Sequence, residues 1–341
     1  MSKETQMAGL VGHDAVLQHI RSAVRAGRVS HAYLIEGAEG SGKKTLANQF
    51  AMALLCRDPQ EGQPCGKCDS CRVFLSGNHP DMHYLRPGEK GTLPVQYVRE
   101  QLVQDIEILP YQSGRKVYIV EQAQTMNVQA QNALLKTIEE PPEYGVVILL
   151  AESIQSFLPT VRSRCVLLRL LRLPEELVTR ILTEQYQVTP ELAASCAAFC
   201  QGAVGQALKL ACSPEFAALR SQWMDRLARL AEADTLEVLS WSEALENDKE
   251  HIQEVLRMML AWFRDLLLVM ETGETSRCIC QDQRSALEKA VRFYEGKELY
   301  RKIRMLSDAQ NKLQHNVNYA LWSDWLLMQL ARRTSPAEEF R

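Results

Sequence analysis

The sequence has no apolar run of 18 residues, and its first ten residues, MSKETQMAGL, lack the apolar core of a secretory signal. The expectation is a cytoplasmic protein with no membrane segment. It also lacks a charge excess: 39 Lys and Arg stand against 42 Asp and Glu, a net charge of −3. The chain as a whole is therefore no electrostatic attractor for nucleic acid. Aromatic residues make up only 7%, too few for a convincing base-stacking platform. There is no internal repeat and no low-complexity tract. What is present is ordinary for a globular protein: 341 residues, 46% hydrophobic and 24% charged, enough for two or three domains. The ten cysteines call for attention instead. A reducing cytoplasm does not pair them by default, so each needs a metal reading or a burial reading.

Residues 10–30 place Val16, Leu17, Ile20 and Val24 at helical spacing. HAYLIEG (31–37) reads as a strand and KTLANQFAMALLC (44–56) as the next helix. VQYVREQLVQDIEIL (95–109) has the period of an amphipathic helix, and RKVYIVEQ (115–122) that of a buried strand. NVQAQNALLKTIEEPP (127–142) is a helix stopped by Pro141 and Pro142, and GVVILLAES (145–153) is a further buried strand. Apolar strands alternating with helices predict an α/β fold whose parallel sheet is covered on both faces. Beyond about residue 170 the pattern turns wholly helical. Short helices over 173–211 break near Val188–Pro190 and Gly202, and longer ones run from 213 to 333, with Met258, Met259, Leu260, Trp262 and Phe263 in one apolar cluster. The final TSPAEEFR reads as frayed.

GAEGSGKKT (37–45) joins the first strand to the second helix and nearly fits the phosphate-loop pattern G-x-x-x-x-G-K-[ST]. In such a loop, backbone N–H groups cradle phosphates, the lysine reaches the β- and γ-phosphates, and the next hydroxyl holds Mg²⁺. Gly37, Gly40, Gly42 and Lys43 keep the first two functions. Lys44 stands where Ser or Thr is needed, and an ammonium has only donors and repels a cation. Sliding the register to Thr45 would put Lys43 at the glycine position and turn the hydroxyl about 100° around the helix. The bland alternative is a Gly-rich strand-to-helix turn.

Cys56, Cys65, Cys68 and Cys71 have the spacing C-x8-C-x2-C-x2-C inside a polar, Gly- and Pro-broken insert. Two-residue gaps let thiolates converge on one tetrahedral ion, and four thiolates make a closed structural Zn²⁺ site. The insert has too few apolar residues to order itself, so metal would supply its folding energy. A redox-sensitive thiol cluster is the alternative, and His79 or His83 could stand in for one ligand. Cys165, Cys196, Cys200, Cys212, Cys278 and Cys280 show no ligand spacing and read as buried free thiols.

Taken together, HAYLIEGAEGSGKKT, the cysteine insert, AQNALLKTIEEPP (130–142) and LPTVRSRC (158–165) resemble, in order and spacing, the bacterial clamp-loader family of the AAA+ class. NVNYALWSDWLLMQL (316–330) is similar to the end of that family's collar helices, so the likeness covers nearly the whole chain. It implies an AAA+ core over 1–170 with the zinc module at 56–71, a helical lid over 171–212 and an all-α collar over 213–341. In hydrolysing members an Asp-Glu pair follows the strand before NALLK; here it is Glu121-Gln122, and a neutral amide cannot take a proton from water. The Thr or Asn that senses the γ-phosphate is replaced by Ala151-Glu152, and the lid arginine by Gly205.

Four losses imply a non-hydrolysing subunit of the DNA polymerase III clamp loader; binding of nucleotide without hydrolysis stays open. The Arg164 of Ser-Arg-Cys survives, and the resemblance makes it an arginine finger given in trans to a neighbour. Without the resemblance it would read as a surface cation at a helix end. The partners implied are gamma/tau-type and delta-type subunits, with the sliding clamp and primer-template DNA reached through the assembly. Two rivals differ in class: an active ATPase using Glu121, and a zinc-dependent nucleic-acid-binding module.

Overall fold

The computed structural model describes residues 10–88, 91–248, 251–312 and 319–332; residues 316–318 of the collar motif and the TSPAEEFR tail lie outside them. The chain divides into two compact units, one of residues 1–173 with 203–206, the other of 174–202 with 207–341.

The first unit runs α1 (Asp14–Arg25), β1 (Ala32–Glu36), α2 (Lys43–Leu55), α3 (Asp69–Leu75), β2 (Met82–Leu85), α4 (Val95–Val98), β3 (Lys116–Val120), α5 (Val128–Glu139), β4 (Gly145–Ala151), α6 (Pro159–Arg162) and β5 (Val166–Arg169). The five strands form one parallel sheet in the order β2-β3-β4-β1-β5. Their period of two sorts the core into two faces. Ala32, Leu34, Tyr118, Val120, Val147 and Leu149 pack on one side with Leu134 and Ile138 of α5. Tyr33, Ile35, Val117, Ile119, Val146 and Ile148 pack on the other with Leu46 and Phe50 of α2. The predicted two-faced parallel sheet is what forms.

The segment read as one helix over 95–109 is helical but uneven. α4 passes into a π-helical turn over Arg99–Gln104 and a 3₁₀ turn over Asp105–Glu107. Val98, Leu102 and Ile106 keep a four-residue spacing and are fully buried. The far end is fixed by Asp105, whose carboxylate takes the Tyr118 hydroxyl at 2.6 Å and the Lys116 ammonium at 2.8 Å.

The second unit is wholly helical: α7 (Glu175–Tyr186), α8 (Pro190–Phe199), α9 (Val204–Ala211), α10 (Pro214–Arg229), α11 (Thr235–Asn247), α12 (Ile252–Thr272), α13 (Arg284–Ala290), α14 (Gly296–Lys312) and α15 (Tyr319–Ala331), with the first turn of α9 counted in the first unit. α12 is its axis, burying Met258, Met259, Trp262 and Phe263 as the apolar cluster predicts. Lys302 is buried, pairs with Glu298 at 2.6 Å and donates to the Leu330 carbonyl at 2.7 Å, which fastens α14 to the end of α15. Among the described residues no helix is long and apolar enough to cross a membrane.

Candidate functional site

The phosphate-loop residues gather at the carboxyl ends of the strands, where open parallel sheets carry their ligand crevice. Gly40 and Gly42 take φ of 74° and 93°, a left-handed backbone suited to glycine, and Gly42 caps the start of α2. Lys43 turns back on the loop, its Nζ donating to the carbonyls of Gly37 at 2.5 Å and Ala38 at 2.8 Å. Burial lowers its pKa, and the nearby Glu152 and Glu39 carboxylates oppose that.

Lys44 points elsewhere. Its Nζ lies 2.9 Å from Glu121 Oε1. That same oxygen accepts from Arg86 Nε at 3.0 Å, because β2 runs beside β3 and puts Arg86 next to Glu121. Gln122, next in line, has a left-handed backbone with φ 48°. Ala151 closes β4 as a fully buried residue, and its carbonyl accepts the Gly37 N–H at 3.1 Å. Gly205 is also brought to the loop. Its N–H donates to the Gly40 carbonyl at 2.8 Å, and a Cβ there would sit 2.9 Å from that oxygen. A side chain at this position would collide with the Gly40 backbone as it stands.

Arg164 lies between α6 and β5. Its Nε meets Glu139 Oε1 at 2.7 Å and one terminal nitrogen donates to the Thr160 carbonyl at 3.0 Å. The side chain remains 39% exposed. Buried Gln131 of α5 sets the approach to this corner. Its amide donates to the carbonyls of Met126 at 3.1 Å and Ser156 at 3.0 Å and accepts the Leu158 N–H at 2.8 Å. Arg86, Glu139 and Gln131 escape the sequence reading. A lone Arg, a Glu in a helix end and a Gln in an amphipathic helix give no signal until strand order and loop path are known.

The four predicted metal ligands converge, with all four sulfur atoms within 4.8 Å of one another. Cys56 Sγ lies 3.5 Å from Cys65 Sγ and 3.9 Å from Cys68 Sγ, and Cys65 Sγ lies 4.0 Å from Cys71 Sγ. Tetrahedral Zn–S bonds of about 2.3 Å put sulfurs about 3.8 Å apart, so the donor set fits Zn²⁺. Burial pushes the Cys68 thiol up, but N–H bonds from Cys71 and Arg57 and the neighbouring thiols bring it down to about 6. Burial pushes Cys56 and Cys71 up, so a bound ion's own charge would be needed to make all four thiolates. His79 and His83 are not part of the set. His79 Nε2 bonds Ser70 Oγ at 3.0 Å, and Ser70 donates to the Leu55 carbonyl at 2.6 Å, so this histidine fastens the insert to the end of α2. His83 stacks on Tyr118.

All ten cysteines are free thiols. Cys196, Cys200, Cys278 and Cys280 are buried as expected, and Cys165 packs half-buried against the core. Cys212 corrects the expectation: it is exposed, because it follows the last turn of α9 where the chain leaves the helix.

Residues 12–174 match the family described as "DNA polymerase III, delta subunit", and residues 214–331 match "DNA polymerase III, delta subunit, C terminal". The chain is 28% identical over 319 residues to DNA polymerase III subunit delta′ of Bacillus subtilis, covering 92% of this chain and 95% of that one. It is 42% identical over 138 residues to subunit delta′ of Pseudomonas aeruginosa, covering 40% of this chain and 42% of that one. It is also 32% identical over 183 residues to DNA polymerase III subunit tau of Escherichia coli, covering 52% of this chain and 28% of that one.

Proposed function

The chain belongs to the delta-prime subunit family of DNA polymerase III, and from that membership we propose that it is a non-hydrolysing stator of the bacterial replicative clamp loader. It lends Arg164 to the ATP site of a neighbouring gamma/tau-type subunit while the sliding clamp is loaded onto primed DNA. One observation carries the reading. Arg164 is a partly exposed guanidinium held by Glu139 and the Thr160 carbonyl, whereas at the chain's own loop Lys44 and Gln122 replace the metal-holding hydroxyl and the general base. A fixed guanidinium supplied in trans stabilises charge on the transferring phosphoryl group. The chain's own site has no group that can deprotonate water at the position where one is needed.

The remaining assignments follow the same reading. Residues 1–170 are the AAA+ core, 171–212 the lid and 213–341 the collar that joins homologous subunits, with a delta-type subunit on the side away from the gamma/tau-type neighbour. Exposed Leu236 and Leu239 on α11, and Leu321 and Trp325 on α15, give the collar apolar surface for that association. Zn²⁺ held by Cys56, Cys65, Cys68 and Cys71 is structural: four protein ligands leave no open position for a substrate. The test is reconstitution with the hydrolysing subunit and the clamp. Arg164→Ala is expected to lower ATP turnover by the assembled complex while assembly is unchanged. Unchanged turnover removes the finger.

A further inference from the structure

In a working phosphate loop, the hydroxyl after the lysine and the acidic residue at the end of a second strand of the sheet meet through Mg²⁺. Here those two positions hold Lys44 and Glu121, and they meet without an ion, at 2.9 Å. Glu121 is only 19% exposed, so its charge needs a close partner. Lys44 supplies one ammonium and Arg86 a guanidinium at 3.0 Å on the same oxygen. A divalent ion brought to this point would lose both usual ligands at once. The hydroxyl is absent, and the carboxylate already carries two cations.

We propose that the Lys44 ammonium is an internal substitute for the divalent cation, which makes this phosphate loop indifferent to Mg²⁺. The inference deepens the non-hydrolysing reading above and rests on the loop being a phosphate loop by descent. The chemistry distinguishes two forms of a polyphosphate. A metal-free polyphosphate brings only oxygen acceptors, which Lys43, Lys44 and the loop N–H groups can meet. A magnesium complex brings a second positive charge to the place the ammonium holds, and Mg²⁺ gives up its oxygen shell reluctantly. Lys44 thereby removes the advantage that the metal-bound form, which hydrolysis requires, has in a working loop. Gln122 separately removes the base.

The experiment uses the full chain and a fluorescent ATP analogue, titrated by anisotropy with and without added MgCl₂. Magnesium is omitted rather than chelated, so the zinc cluster stays loaded. Lys44→Thr restores the hydroxyl and releases Glu121 from one cation. It should bind the analogue at least about ten-fold more tightly with magnesium than without, the gain of one charge-assisted contact. The natural chain and Lys44→Arg should show the same affinity in both conditions, or no binding in either. A ten-fold tightening of the natural chain by magnesium overturns the proposal, and so does a Lys44→Thr chain that ignores magnesium. Circular dichroism and zinc content check that the variant is folded, and Lys44→Ser is the second route to a hydroxyl should Thr fail. Phosphate release, followed in the same samples, tests hydrolysis separately. Turnover by the natural chain would break the stator reading and leave the magnesium comparison standing as its own result.

Discussion

The two ends of helix α2 carry opposite histories. At its start, Lys43 and Lys44 sit in a loop whose sequence departs from its pattern, and the chain itself supplies partners to the altered groups there. Lys44 has Glu121, Glu121 has Arg86 as well, Lys43 has two loop carbonyls, and the Gly40 carbonyl has the Gly205 amide. At its end, Cys56 joins three other cysteines whose spacing is intact and whose converging sulfurs could hold a metal ion. A site that keeps its residue pattern keeps its need for an external partner. A site that loses it can persist as architecture once internal groups take over each contact.

The strongest way to break this comparison is at the cysteine end. Purified chain is expected to carry one zinc per chain, and Cys68→Ser to carry almost none. Apparent binding energies of structural zinc are on the order of 10 kcal/mol, and in a segment this poor in apolar residues that energy is folding energy. Residues 57–71 should become sensitive to limited proteolysis while the sheet core survives, read by mass spectrometry of the fragments. An insert that stays protected without metal would show that Ser70, His79 and the Leu55 carbonyl hold it by themselves, and the two ends of α2 would then be alike.

A middle-sized effect is expected at Gly205→Ala. The added Cβ lies 2.9 Å from the Gly40 oxygen and 3.1 Å from its Cα, both backbone atoms that cannot swing aside. Overpacking of this kind costs about 1–3 kcal/mol, and the better helix propensity of alanine returns less than about 1 kcal/mol of it. The net loss, read by denaturant unfolding, should be about 1–2 kcal/mol. A neutral result would mean that the start of α9 can leave the loop freely, and that internal closure of the loop is weaker than its hydrogen bond suggests.

How much of this was legible beforehand depends on sequence distance. The strand–loop–helix around Gly37–Lys43 and the cysteine insert are local, so spacing alone located them. The sheet faces followed from the period-two burial of β1, β3 and β4. The partners of the altered residues are not local. Glu121 lies 77 positions from Lys44 by subtraction of their numbers, and Arg86 reaches it only because the strand order places β2 beside β3. Gly205 meets Gly40 across nearly half of the chain. Arg164 stood out through its Ser-Arg-Cys context as a candidate, but Glu139, which pairs with it, did not, because an exposed Glu at the end of a helix carries no signal of its own. The π-helical turn after α4 had no sequence signal either: Val98, Leu102 and Ile106 give the spacing of an ordinary helix. Cys212 failed for a related reason, since burial of a residue just past a helix end depends on where the chain goes next.

The smallest expected effect falls on the pair that matters most to the magnesium argument. Lys44→Met removes an ion pair whose lysine is 51% exposed and whose glutamate is 19% exposed. Solvent screens the lysine, and exposed pairs contribute about 0–1 kcal/mol. Glu121 keeps Arg86, so its carboxylate is not left alone. Thermal unfolding should shift by no more than about 2 °C in a chain of this size. Arg86→Met alone should be similarly mild, since Lys44 remains. The double variant is the sharper measurement, because it leaves a largely buried carboxylate with neither cation, a penalty of about 1–3 kcal/mol. The sum of the two single changes should therefore fall short of the double. Strict additivity would mean that each cation serves Glu121 independently and that neither stands in for the other. A large loss from Lys44→Met alone would assign the pair to stability. The lysine would then be a structural strut that happens to stand in a phosphate loop, and the first end of α2 would lose its claim to a chemical past.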